Sequence, residues 1–162
     1  MDNVLTIAEE RLNLFAHMAN SACGLSLWCF GMKKQLYTCT CPAEKEFRLF
    51  LDLGQCLDYA IAHGPESHAP ILMSDPIGML WVAECVWHGD DASYLVILGP
   101  VFDAAASLQT LQNCLRGMNL SVSLTATIME KLEQVPILPL STLHQYIKML
   151  HWVLYEETLD VG

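Results

Sequence analysis

"MLWVAECVWHGDDASYLVILGPVF", residues 79–102, sets two apolar runs on either side of a polar tip. Gly89-Asp90-Asp91 is the clearest turn signal in the chain, so the runs read as neighbouring antiparallel strands, 78–88 and 93–101. Alternation puts Met79, Trp81, Ala83, Cys85 and Trp87 on one face, and Leu80, Val82, Glu84, Val86 and His88 on the other. Both faces are largely apolar, which predicts a strand covered on both sides. Glu84 breaks the pattern. A buried glutamate needs a partner or a raised pKa, so it recognises a ligand amine or hydroxyl, pairs with a Lys or Arg, or reaches solvent at the sheet surface.

Upstream, "GLSLWCFGMKKQLYTCTCP" (24–42) reads as a second hairpin: strand 25–30, a turn through Gly31 to Lys34, and strand 35–40, ended by Pro42. Residues 43–65 carry helical periodicity in two pieces, broken near Gly54 and stopped at Gly64-Pro65, and a short strand follows at 71–74. Leu5, Ala8, Leu12, Phe15 and Ala19 form one apolar stripe on a helix over 3–19. Downstream come helices at 106–118 and 121–134, the second with Ser121 as N-cap, and a last helix at 141–157 after the two prolines of "VPILPLS". This order predicts an α+β fold: an antiparallel sheet of about five strands, with the N-terminal helix and the C-terminal helices packed on it. One domain spans 1–162, with its N-terminal helix at 3–19, its sheet core at 25–101 and its helical part at 106–157.

The composition narrows the function classes. With 53% apolar and 16% charged residues the chain is not disordered, and a chain of 162 residues buries roughly 70% of its unfolded surface. A net charge of −10 with eight basic residues opposes binding to nucleic acid or to an anionic membrane. The N-terminus lacks the pattern of a signal peptide, and no run reaches the roughly 18 uncharged apolar residues of a membrane span. Seven cysteines, an odd number with several inside apolar elements, read as reduced thiols, and the expected location is the cytoplasm.

The order of two strands, a helical segment and a three-strand meander is that of PAS- and GAF-like sensor modules. "MSDPIGMLWVAECVW" (73–87), "YLVILGPVF" (94–102) and "VPILPLSTLHQYIKMLHWVL" (135–154) resemble the N-terminal regulatory region of a group of bacterial AraC-type transcription regulators, over nearly the whole chain. In that group Ile/Leu-Gly-Pro ends a hydrophobic strand, and a Pro-flanked segment leads into a long apolar helix. The resemblance implies a homodimeric module that binds a small-molecule effector and passes the signal through its last helix to a DNA-binding half. That half, a pair of helix-turn-helix units, is not within these 162 residues.

Trp28, Tyr37, Trp81, Trp87 and Tyr94 fall in strands, where they line a pocket or fill the core. Cys56 and Tyr59 would face such a pocket from the helix above, and Glu84 is its candidate polar contact. On this reading alanine at Trp81 or Glu84 abolishes the effector response. In the last helix Leu143, Ile147, Leu150 and Leu154 make one stripe, and Tyr146, Met149 and Val153 a second. Joined with Leu5, Leu12 and Phe15 across a two-fold axis they form a dimer seam; otherwise the helices wrap over their own sheet.

Cys39 and Cys41 lack the second pair that a zinc site needs, and the six histidines form no constellation, so no metal or cofactor is expected. No catalytic motif appears either, and the chain reads as a non-enzyme. The alternatives are a stand-alone protein-interaction module, or a redox or metal sensor built on Cys39, Cys41 and the histidines.

Overall fold

The computed structural model describes residues 3–65, 70–105 and 107–155, with side chains from residue 9 onward. Its elements are α1 (Asn3–Cys23), β1 (Leu27–Gly31), β2 (Leu36–Cys39), α2 (Glu44–Phe47) running into a 3-10 turn (Arg48–Phe50), α3 (Leu53–His63), β3 (Ile71–Ser74), β4 (Leu80–His88), β5 (Asp91–Val101), α4 (Leu108–Arg116), α5 (Val122–Leu132) and α6 (Leu140–Tyr155). The fold is α+β: the five strands form one antiparallel sheet in the order β2-β1-β5-β4-β3. Some ends differ from expectation. The first helix runs to Cys23 rather than 19, and the break before α3 falls at Asp52 rather than Gly54. There the Asp52 carboxylate accepts the Gln55 N–H (3.0 Å) and caps α3, which draws Gly54 into its first turn. Ser121 caps α5 through the Leu124 N–H (3.1 Å), as expected. The stretch 156–157 of the last helix, His68, and the side chain of Leu5 lie outside what is described.

The sheet is covered on both faces. On one, Trp28, Phe30, Trp81 and Ile97 pack with Phe47, Cys56, Leu115 and Ile128 of α2 to α5. On the other, Leu27, Val82, Val96 and Leu98 pack with Leu12, Phe15 and Ala19 of α1 and with Leu143, Ile147 and Leu150 of α6. This three-layer arrangement accounts for strands that are apolar on both faces.

The β4–β5 hairpin turns through Gly89-Asp90, with positive φ at Gly89 (60°) and not at Asp90, the backbone of a type II′ turn. Two more backbone devices lock its open end. Trp81 of β4 stands opposite both Gly99 and Pro100, a bulge between the pairs Leu80↔Val101 and Val82↔Leu98. A Cβ on Gly99 (φ 138°) would meet Leu80 O at 2.9 Å and Trp81 Cε3 at 3.0 Å, so only glycine fits this approach. The loop from β3 to β4 is organised by Asp75. Its Oδ1 accepts the N–H groups of Ile77, Gly78 and Met79 (2.9–3.1 Å), and its Oδ2 accepts the Trp81 indole N–H (2.9 Å). Burial nevertheless raises the Asp75 pKa, with those four donors pulling it the other way.

Candidate functional site

Regular alternation sends neighbouring strand residues to opposite faces. Besides the bulge opposite Trp81, the sheet departs from it in two further places. β1 pairs Cys29 with Thr38 and Phe30 with Leu36, leaving Tyr37 as an extra residue in β2. β4 pairs Val86 with Tyr94 and Trp87 with Ala92, leaving Ser93 as an extra residue in β5. Both bulges turn consecutive residues, Tyr37-Thr38 and Ser93-Tyr94, toward α1. Together with Cys29 they face Glu9, Leu12 and Asn13 across a cleft of about 630 Å³. That volume lies in the range of small-molecule sites, roughly 300–1,000 Å³. Its floor, Leu12, Cys29 and Tyr94, is buried, whereas Tyr37 is 60% exposed at the β2 edge. Burial raises the Cys29 thiol and the Tyr94 phenol to about 12 each, and the Glu9 carboxylate adds to both shifts, so its negative field reaches the floor.

Beneath α6 lies a second feature. Glu84, 2% exposed in β4, meets His151 Nδ1 at 2.5 Å, and both side chains are buried. Glu84 Oε2 has no hydrogen-bond partner among the described residues. Burial pushes the Glu84 carboxyl up to about 8, so a proton stays with the pair at neutral pH. One turn on, the Tyr155 hydroxyl donates to the Cys85 carbonyl (2.8 Å), fixing the end of α6 to the same strand. Burial raises the Tyr155 phenol, and Glu84, Cys85 and Tyr94 add to the shift. Tyr94 thus belongs to the wall of the cleft and to the surroundings of the α6 anchor.

The residues read from sequence fall into separate groups. Trp28, Trp81 and Cys56 are fully buried in the core on the far face of the sheet from the cleft. Trp28 and Trp81 meet edge to face (5.7 Å, 61°), and the Cys56 thiol contacts Met73 Sδ (2.9 Å). Tyr59 is exposed and stacks on His63 (3.9 Å). Trp87 is half-buried beside the Ser93 bulge. Of that set only Tyr37 and Tyr94 line the cleft, while Glu84 lies outside it and pairs with His151 rather than with a Lys or Arg.

The helical stripes also land differently from a dimer seam. Leu12, Phe15, Leu143, Ile147 and Leu150 are buried against the chain's own sheet, and Leu154 is half-buried. Among the described residues, Leu14 and Met18 of α1 and Met149 and Trp152 of α6 are exposed and line one shared apolar groove; Leu140, at the start of α6, is exposed outside it. Cys39 is half-buried and its thiol is raised to about 12 by burial; Cys41 is raised for the same reason. Among the described residues no three His, Cys, Asp or Glu side chains gather as a metal site.

Glu9, Asn13, Thr38 and Ser93 were not legible as site residues, because polar positions off a helical stripe or near a turn are solvent-facing by default. No family model, curated protein or solved structure matches the chain. Among the described residues no helix is long and apolar enough to cross a membrane.

Proposed function

We propose that the chain is the small-molecule-sensing and dimerisation domain of a cytoplasmic AraC-type transcription regulator, a binding module rather than an enzyme. The effector enters the cleft between α1 and the bulged edge of the sheet, and α6 carries the signal toward a helix-turn-helix half. One observation carries this reading: two independent bulges, at Tyr37 and Ser93, open onto one cleft whose opposite wall, α1, packs along α6. Bulges are enriched beside functional sites because they re-aim side chains. A ligand shifts α6 only by binding its two arrangements with different affinity, and a coupling of roughly 1–3 kcal/mol suffices for regulation. The second copy covers the outward face of Leu14, Met18, Met149 and Trp152. A single-protomer mass in analytical ultracentrifugation would remove that half of the proposal.

The cleft is tested by a thermal-shift screen of small metabolites against the wild type and Ser93→Trp, whose indole fills the space at the bulge. A compound at about 100 times its Kd raises stability by about 2.7 kcal/mol, a shift of several degrees. The expected result is a hit that Ser93→Trp loses while its own melting stays cooperative. Equal shifts in both proteins would place the binding elsewhere.

A further inference from the structure

We infer that the cleft takes an organic cation, a primary or substituted amine carried on an aromatic or aliphatic body. This rests on the cleft being the effector site, and it goes further by fixing the ligand's charge. Glu9 and Asn13 stand one helical turn apart on α1 and both face the cleft, giving a carboxylate and an amide oxygen as acceptors for one ammonium group. Tyr37 and Tyr94 line the cleft opposite them, from two strands, and aromatic rings in a cleft suit a cation. Thr38 and Ser93 add hydroxyls, and Leu12 and Cys29 form an apolar floor for the body of the ligand. Among the described lining residues there is no Lys, Arg or His to meet an anion. The chain's net charge of −10 repels anions further and steers cations inward. Burial raises Cys29 and Tyr94, and the smaller contribution of Glu9 to both shifts agrees with its place on the cleft lining. A neutral ligand of the same shape gains nothing from that carboxylate's charge.

Matched probes test the charge and the cleft separately. Phenylethylamine, phenylethanol and phenylacetate, and likewise tryptamine, tryptophol and indoleacetate, are titrated at millimolar concentration into the wild type and into Glu9→Gln. Binding is followed by the ring resonances of Tyr37 and Tyr94. The expected result is saturable binding with each amine about tenfold tighter than its alcohol, the acids weakest, and Glu9→Gln bringing the amine down to the level of the alcohol. Alcohols or acids binding as tightly as amines, with Glu9→Gln without effect, would overturn the cation and leave the cleft as a ligand site. Rings that no probe of any charge perturbs would overturn both.

Discussion

Trp28→Ala is expected to lower folding stability by about 5 kcal/mol, a third or more of what a domain of this size holds. Truncating a buried tryptophan typically costs about 3–5 kcal/mol through lost transfer energy and the cavity left behind. Trp28 has no exposed surface, stacks on Phe30 (6.2 Å) and meets Trp81 edge to face. Its indole N–H also donates to the Gly99 carbonyl (2.8 Å), and leaving that acceptor unpaired adds about 1–3 kcal/mol. Trp28→Phe keeps most of the volume and loses the hydrogen bond, with an expected cost of about 2 kcal/mol. Urea titrations at constant m-value read both numbers. A cost below about 1 kcal/mol for the alanine variant would contradict this account of the core. For function the consequence is direct. Loss of effector response on truncating Trp28 or Trp81 reports a damaged core; Glu9, Tyr37 and Ser93 are the positions that interrogate the cleft.

The second large effect is at the α6 anchor. His151→Ala removes the Glu84 partner, and breaking a buried pair typically costs about 3–5 kcal/mol. Because burial raises Glu84 to about 8, the carboxyl sheds its charge instead of standing alone, and the expected cost lies near 3 kcal/mol at neutral pH. The pH dependence follows from the same shift. The carboxyl titrates near 4.5 when unperturbed and near 8 in the fold, so the folded state holds the proton more tightly. Its contribution to stability is full below pH 4.5 and is lost as pH rises through about 8, at up to about 1.4 kcal/mol per pH unit. Glu84→Gln, which cannot ionise, should flatten the slope in this window, as read from melting curves at pH values across it. An identical pH profile in wild type and Glu84→Gln would show that Glu84 keeps no proton in the fold.

Much of this architecture was legible. The Gly89 turn and the alternation from Met79 to Val86 gave the central hairpin and its two faces, and the stripes of Leu12 and Phe15 and of Leu143 to Leu150 gave the helices that cover it. The bulges were not legible, because an extra residue at Tyr37 or Ser93 is defined by the strand opposite, not by its own neighbours. Of the eight aromatic, Cys and Glu candidates, Trp28, Trp81 and Cys56 therefore went to a packed core and Tyr37 and Tyr94 to a cleft on the opposite face of the sheet, while Tyr59, Glu84 and Trp87 joined neither. His151 was visible as a polar residue on an apolar helix, but its carboxylate lies 67 residues earlier, beyond any local spacing rule. Asp75 carried a local hint, an Asp-Pro turn before a strand, and its four accepted hydrogen bonds show how much such a turn organises.

Occupancy of the cleft should be felt by α6. Backbone hydrogen exchange across Leu140–Tyr155, with and without tryptamine, measures this directly. The ligand is expected to protect α1 and β5 and also to change the exchange of α6 amides around His151 by roughly fivefold or more, the low end of allosteric coupling. Protection confined to α1 and the sheet, with α6 exchanging at its unliganded rate, would contradict it.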